Sequence, residues 1–249
     1  TNEIGDGGIA FAAGHETAVL RSVVPRSNFE SLEKKFFEHA EFVGRNIAGA
    51  ARCFAAINPF YPWDYQHPAT VRLDGFAPVS IMVRHTAISG VLALCRIWDR
   101  PRNARKIDYV VHNLRNPLLM DTFEKSYEER REFQEFFGSY GSNGAGEGEN
   151  CLSGFAVAAE DIESRFDLIK KSSPLGVLIE IRNKCLAHSE AIDLQVESSE
   201  VLEVFRNSLS LIERINLVIG LDGITHEIYE MYVEDARAHW ADVFLSDGR

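Results

Sequence analysis

The chain has 249 residues, of which 45% are hydrophobic and 25% are charged, as in ordinary soluble globular proteins. A chain of this length buries roughly 70–75% of its unfolded surface, so it needs neither a metal ion nor disulfides in order to fold. Its formal net charge of −11 argues against stable packaging of long nucleic acid, but it is compatible with brief RNA contact in a local basic cleft.

The sequence begins with a predicted flexible arm and one long helix. Residues 1–26 contain several glycines and no sustained helical period, so we expect a loose N-terminal arm. Ser27 to Glu30 has the pattern of a capping box, which opens a helix to about Ile57 with its apolar residues on one face. Residues 58–77 are rich in proline and aromatic residues. We expect them to pack on the helices, the alternative being that they line a ligand cleft.

The middle of the chain predicts three helices and a glycine-rich loop. The helices span about 78–98, 103–114 and 117–137. Because Arg84, His85 and Arg96 interrupt the apolar run of the helix at 78–98, we interpret it as a core helix and not as a membrane span. Residues 138–150, GSYGSNGAGEGEN, are predicted to form a loop between helices, and they lack the GxxxxGK(S/T) pattern of a phosphate-binding loop.

The last hundred residues predict four more helices, at about 152–171, 174–190, 200–219 and 224–244. Ser172 or Ser173 can cap the second of these, and Pro174 suits a first helical position. No segment alternates as a strand does, and no internal repeat is present, so the sequence predicts an all-α fold. Long helices with short connections favour an antiparallel bundle, which we expect to form a single domain over 27–249.

The cysteines and the N-terminus indicate a cytoplasmic protein. The cysteines are Cys53, Cys95, Cys151 and Cys185. They are scattered and form no CxxC pair, as is typical of free thiols in a reducing compartment. Without an HExxH string or a Cys/His cluster, no metal site is expected, and no cofactor is indicated. The N-terminus has no charged-then-apolar signal pattern, so we expect a soluble protein that does not associate with membranes.

The helix predicted from Pro174 to Glu190 combines an apolar surface with polar residues. Its sequence, PLGVLIEIRNKCLAHSE, is apolar on nearly every side, yet it contains Arg182, Asn183 and His188. Burial of an ionisable group without a partner costs several kcal/mol, so these residues need a compensating role. On an unbroken helix Arg182 and His188 point about 120° apart. A helix break, the reach of the arginine or a second copy of the helix is needed to bring them together.

Residues 182–188, RNKCLAH, match the signature of the HEPN superfamily, in which four to six residues separate an arginine from a histidine. The form RNKxLAH is most similar to the branch that contains abortive-infection-U-type phage-defence proteins. The string RIWD at residues 96–99, at the end of an early helix, also resembles this branch. The resemblance implies an all-α HEPN-like bundle with extra helices that homodimerises. It also implies a metal-independent endoribonuclease whose active site forms where two copies meet.

By this resemblance, Arg182 and His188 are the catalytic residues. The supporting residues are Asn183, Lys184, Arg96 and Asp99. The implied partners are an RNA substrate, a second copy of the chain and an antitoxin if one exists, in phage defence or a toxin–antitoxin system, with no DNA expected. Some HEPN toxins carry a tyrosine two residues after the histidine, which a nucleotidyltransferase antitoxin modifies. Glu190 occupies that position here, so we do not expect silencing by that route.

The chemistry of these residue types suits metal-free RNA cleavage. The RNA 2′-hydroxyl attacks the adjacent phosphate, and the reaction needs a proton acceptor, a proton donor for the leaving 5′-oxygen and positive charge for the phosphorus intermediate. A histidine that titrates near neutrality suits the proton transfers, and a permanently charged arginine suits the phosphate oxygens. Asn183 is expected either to bind the phosphate or to hold Arg182 in place. The expected products are a 2′,3′-cyclic phosphate and a 5′-hydroxyl.

Each of these residues also has a structural interpretation. A histidine on an apolar helix face, such as His188, is more often a core or interface residue than a catalyst. Arg182 is alternatively an interior arginine paired with Asp99 or Asp161, and Arg96 can pair with Asp99 near the helix end. Lys184 most simply faces solvent. The seven other histidines have no convincing partner by spacing.

The main alternative function is a non-catalytic helical module for dimerisation, RNA binding or protein interaction that keeps the motif for packing. A nucleotide-binding or transferase partner is disfavoured, because the sequence has no clustered Asp/Glu triad for magnesium. Dimer geometry separates the first two possibilities. An enzyme places both copies of His188 at an open cleft, whereas a packing role predicts a closed, dry contact.

Overall fold

All regular structure in the described part of the chain is helical. The computed structural model describes residues 26–60, 77–98, 106–141, 154–187 and 198–245. Within these ranges the helices are α1 (Arg26–Ile57), α2 (Ala77–Trp98), α3 (Ile107–Asn113), α4 (Met120–Gly141), α5 (Phe155–Lys171), α6 (Ser173–Ala187), α7 (Ser198–Ile219) and α8 (His226–Leu245). The predicted all-α fold is confirmed, since these ranges contain no strand.

The α3 and α4 helices begin later than predicted, each for a local reason. Lys106 has an extended backbone with φ −138° and ψ 149°, so α3 begins at Ile107 and not at about residue 103. The α4 helix was predicted to begin at residue 117 and begins three residues later. The Asn116 side-chain oxygen accepts the backbone N–H of Leu118 over 3.1 Å, which holds a turn where the first helical residues were expected.

Four predicted segments fall wholly or partly outside the described residues. They are the N-terminal arm at 1–25, the aromatic segment at 61–76, the glycine-rich segment at 142–153 and the end of the motif helix at 188–190. The glycine-rich loop does not begin at residue 138 as predicted, because α4 continues to Gly141. A glycine costs a helix only about 1 kcal/mol relative to alanine, so glycines alone do not end a helix.

The α1 and α2 helices pack closely as an antiparallel pair. Gly90 on α2 faces Cys53 and Phe54 on α1, whereas Gly49 on α1 faces Ala93 on α2. Residue numbers therefore rise along one helix as they fall along the other. A Cβ atom placed on Gly90 would lie 2.9 Å from Phe54 Cε1, so a larger residue cannot enter this contact without a shift.

The α7 helix lies at the centre and packs against α1, α4, α5 and α6. Trp98, the last residue of α2, donates its indole N–H to Ser208 Oγ on α7 over 2.9 Å, and its ring stacks on Phe166 of α5. Phe205 of α7 meets Phe54 of α1 edge to face, with ring centroids 5.0 Å apart. The buried core draws residues from all eight described helices.

The start of the aromatic segment packs against α8. Asn58 and Phe60 are buried, and the Phe60 and Trp240 rings meet with centroids 4.8 Å apart. Asn58 Oδ1 accepts a hydrogen bond from Arg237 Nε over 3.3 Å. The packing interpretation of this segment therefore holds at its first residues, and residues 61–76 lie outside the described part.

Among the described helices, α2 stands out for its apolar character. By length and composition alone, Pro78–Trp98 is long and apolar enough to cross a membrane, with a mean hydropathy of 1.4, a test that core helices of soluble proteins also pass. Its residues Val83, Ala87, Val91 and Leu94 form one buried stripe. The prediction of a core helix agrees with the burial of this stripe.

Candidate functional site

A serine at the junction of α5 and α6 fixes the start of the motif helix. Ser172 Oγ donates to the carbonyl of Ile169 over 2.8 Å and accepts the N–H of Leu175 over 3.4 Å. The hydroxyl thus satisfies a carbonyl at the end of α5 and an N–H at the start of α6. Of the two capping serines predicted, Ser172 is the one that caps.

The predicted catalytic arginine is held by its neighbour in the chain. Arg182 Nε and Nη2 both donate to Asn183 Oδ1, at 3.3 and 3.0 Å. Arg182 is half-buried and Asn183 is exposed, while the preceding residue Ile181 is fully buried. Of the two roles predicted for Asn183, the contact with Arg182 is present in the structure, and binding of a phosphate stays a prediction. The guanidinium is thus hydrogen-bonded by its neighbour and is partly exposed.

The helix end that carries Arg96 packs close to the Arg182 helix. Cys95 of α2 lies with its Sγ 3.7 Å from the carbonyl oxygen of Leu178, one turn before Arg182 on α6. Arg96, the next residue after Cys95, is exposed, and among the described residues it makes no ion pair. The structure therefore places the described parts of the two motif strings, residues 96–98 and 182–187, on adjoining helices. Asp99, the proposed partner of Arg96, lies outside the described residues.

Three of the six predicted site residues are not fully described. His188 and Asp99 lie outside the described part of the chain, and for Lys184 only the helical backbone is described. The pairing of Arg182 with His188 therefore remains a prediction. The backbone of α6 is helical to Ala187, so a helix break that would bring the two together does not occur before that residue.

One structural alternative for Arg182 is wrong. Asp161, considered as its partner, pairs instead with Arg165 and Arg214, with closest N–O distances of 2.8 and 3.2 Å. Arg165 lies one turn after Asp161 on α5, and Arg214 reaches it from α7. This ion-pair cluster holds α5 against α7 and is separate from the motif helix.

A cavity of about 510 Å³ lies between α4, α5, α7 and the turn before α8. Its polar lining includes Arg130, Asp161, Glu213, Arg214, Asn216 and Thr225. Sequence reasoning missed this site. Asn216 falls within the helix predicted at 200–219, and residues 220–223 fall in the connection between two predicted helices. A polar residue within that apolar run is the one signal that pointed here.

Two histidines have partners that spacing did not reveal. His226 Nδ1 lies 2.8 Å from Glu213 Oε2 beside the cavity. His39 Nδ1 accepts the backbone N–H of Lys106 over 3.0 Å, and its ring stacks on Tyr109. Both contacts join different helices or a helix and a connection, so local sequence spacing does not encode them. In the described ranges no group of three or more His, Cys, Asp or Glu side chains is arranged to hold a metal ion.

No protein-family model, curated protein or solved structure matches this chain. The HEPN resemblance therefore stays a prediction, carried specifically by residues 96–99 and 182–188.

Proposed function

We propose that this protein is a metal-independent endoribonuclease of HEPN type that acts as a homodimer in the cytoplasm. Its substrate is RNA, and its setting is phage defence or a toxin–antitoxin system, with an antitoxin as a further partner where one exists. The setting follows from the resemblance of RNKCLAH to abortive-infection-U-type proteins.

The observation that carries the proposal is the restraint of Arg182 by Asn183. A single amide oxygen accepts from two guanidinium nitrogens, so the side chain loses freedom before any substrate binds. Catalysis by electrostatic stabilisation depends on such preorganised charge. Arg182 is also half-buried on a helix whose next residue inward, Ile181, is fully buried, so its backbone is firmly placed.

In the proposed mechanism, His188 accepts the proton of the RNA 2′-hydroxyl as that oxygen attacks the adjacent phosphorus. The P–O5′ bond then breaks, and a histidine returns a proton to the departing 5′-oxygen. Arg182 binds the non-bridging phosphate oxygens, whose negative charge is greatest in the crowded intermediate. The products are a 2′,3′-cyclic phosphate and a 5′-hydroxyl.

Two-fold pairing of the chain supplies the second histidine. On a straight helix Arg182 and His188 point about 120° apart, so one copy does not easily bring both to one phosphate. A dimer about an axis near the ends of α6 would provide two of each residue at one cleft. The net charge of −11 requires that RNA contact be confined to this locally basic region, to which Lys184 and Arg96 contribute.

A non-catalytic interaction module is the second candidate. Ile81 and Met82 on α2 are 59% and 45% exposed, and adjacent exposed apolar side chains favour contact with another protein surface. In this alternative, residues 182–188 serve packing between copies. The dimer would then bury His188 in a closed contact without an RNA cleft.

The deciding experiment incubates a labelled panel of single-stranded RNA, tRNA and mRNA with the full chain in EDTA. The variants His188→Ala and Arg182→Ala are compared with His239→Ala and Arg45→Ala. The last two change an exposed histidine and an exposed arginine elsewhere, and Arg45 forms an ion pair with Glu41 one turn away. Light scattering verifies the dimer, and circular dichroism verifies the fold of each variant.

We expect cleavage to cyclic-phosphate ends by the wild type and by both control variants. His188→Ala and Arg182→Ala should lose at least about 100-fold in rate while remaining folded dimers. Equal cutting by wild type and His188→Ala would place the activity elsewhere. Absence of cutting by every variant on every RNA would favour the interaction module.

A further inference from the structure

Asn216 is a buried amide without a protein partner among the described residues. It is 7% exposed, and its side chain lines the cavity between α4, α5 and α7. The two other buried polar side chains in the described part of the chain are both paired: Asn58 accepts from Arg237, and Ser208 accepts from Trp98. A buried amide without a hydrogen bond is costly, so Asn216 needs a partner that enters the cavity.

The charged residues around the cavity are already matched with one another. Arg130 donates to Asp222 over 3.2 Å, and it also donates to the carbonyl of Gly220 over 2.8 Å. Arg214 contacts Asp161 over 3.2 Å, and Glu213 lies 2.8 Å from His226. Each charged residue that lines the cavity is therefore paired with an opposite charge or a histidine, so the lining does not favour an ionic ligand. The lining side chains without a partner in the described part are those of Asn216 and Ser210, which are neutral.

The Asn216 amide packs against Gly223, where a residue with a side chain would not fit. A Cβ atom on Gly223 would lie 2.2 Å from Asn216 Nδ2, so the turn before α8 passes directly against this amide. The carbonyl of Asn216 also accepts the N–H of Leu221 over 3.0 Å, which anchors the same turn. The amide therefore lies against the backbone of this turn at Nδ2, and its residue lines the cavity.

We propose that this cavity binds a small neutral planar molecule that presents an N–H donor beside a C=O acceptor. A carboxamide offers a donor and an acceptor side by side, so it pairs with such an edge through two hydrogen bonds. The buried apolar side chains of Ile162 and Val218 line the same cavity and suit the faces of a planar ring. The volume of about 510 Å³ is that of a small-molecule site.

This site is independent of the proposed ribonuclease chemistry. No residue of α6 lines the cavity, whose walls come from α4, α5, α7 and the turn at 220–225. Two classes of molecule carry an N–H donor beside a C=O acceptor in a ring: nucleobases and simple lactams. They share this pair of groups and differ in the rest of the ring.

The test compares probes that differ by one N–H group. Ligand-observed NMR and calorimetry measure binding of 1-methyluracil against 1,3-dimethyluracil, and of δ-valerolactam against N-methylvalerolactam, to the full chain. We expect the unmethylated member of at least one pair to bind with a Kd of about 1 mM and at least about tenfold tighter than its methylated partner. Preference for 1-methyluracil would identify a nucleobase, and preference for the lactam would identify a smaller amide.

Two variants separate a ligand site from a structural amide. Asn216→Leu should bind the preferred probe at least about tenfold more weakly, with a Tm equal to or above that of the wild type, because it removes an unpaired buried amide. Asn58→Leu, which removes the Asn58 oxygen that accepts the Arg237 Nε hydrogen bond, should lower the Tm and keep probe binding. Equal binding of both members of every pair, absence of binding by all four probes, or unchanged binding by Asn216→Leu would each overturn the proposal. A fall in Tm in Asn216→Leu as large as that in Asn58→Leu would do so as well.

Discussion

Trp98 and Ser208 join two distant parts of the chain through one buried hydrogen bond. The indole N–H of Trp98 lies 2.9 Å from Ser208 Oγ, and both side chains are inside the core. Trp98 is the last residue of α2, so the bond fixes this end of α2 against the middle of α7. The end of α2 also carries Arg96, so the bond helps to position one of the two motif strings.

Ser208→Ala should lower the free energy of unfolding by about 1–3 kcal/mol, because it leaves a buried indole N–H unpaired. Ser210→Ala is the matched control on the same helix, since Ser210 lines the cavity and makes no hydrogen bond among the described residues. Urea unfolding of both variants measures the difference. A change of less than about 0.5 kcal/mol in Ser208→Ala would mean that the bond contributes little.

Gly90→Ala should destabilise the protein although alanine is the better helix former. The added Cβ atom would lie 2.9 Å from Phe54 Cε1 and 3.0 Å from Cys53 Cβ, and overpacking of this kind costs about 1–3 kcal/mol. Gly44→Ala is the control, because a Cβ there meets nothing within 4 Å. That variant should gain about 0.5–1 kcal/mol from helix propensity alone. Equal stability of the two variants would contradict the close approach of α1 and α2.

The stability of the protein should fall at high pH because of Cys53. Burial raises the pKa of the Cys53 thiol above its ordinary value, so the folded state holds this proton more tightly than the unfolded state does. The contribution of the neutral thiol is therefore complete below the unfolded-state pKa and is lost as the pH rises through the folded-state value.

Urea unfolding of wild type and Cys53→Ala between about pH 7 and pH 10.5 tests this, since the window spans the unfolded pKa of a thiol. The wild type should lose stability more steeply than the variant above about pH 9, by at most about 1.4 kcal/mol per pH unit. Parallel curves would show that Cys53 titrates in the folded protein as it does in the unfolded chain.

Asn183→Ala tests the orienting role within the proposed ribonuclease. The variant loses both hydrogen bonds to the Arg182 guanidinium, and a hydrogen bond to a charged group contributes roughly 1.5–3 kcal/mol. We expect roughly a tenfold lower single-turnover cleavage rate. Because Asn183 is exposed, the Tm and the dimer content should stay unchanged. A rate equal to that of the wild type would leave Asn183 without a role in the site.

Sequence periodicity and capping predicted most of the fold. The apolar stripes of α1, α2 and α7 are long and regular, and Ser172 and Pro174 mark the start of α6 to within one residue. The turn before α4 was missed because Asn116 closes it through its own side chain, and such side-chain bonds depend on geometry that residue type alone does not fix.

The candidate site was predictable only where its contacts join residues that are close in the sequence. The contact between Arg182 and Asn183 joins chain neighbours, so the sequence could suggest it. The cavity around Asn216 could not be predicted, because Asp161 and Arg130 reach it from helices far away in the chain. Prediction of the close contact at Gly90 or of the Trp98–Ser208 hydrogen bond likewise requires knowledge of which helices pack together.

Because Ser172 fixes where α6 begins, the number of residues between Ser172 and Arg182 determines the position and direction of the Arg182 side chain. Arg182 lies nine residues beyond Ser173, or about 13–14 Å along the helix axis. Inserting one residue within this stretch would rotate the guanidinium by about 100° around the helix axis and shift it about 1.5 Å along that axis. Related chains should therefore keep the count from Ser172 to Arg182 unchanged and place their insertions and deletions in the connections between helices.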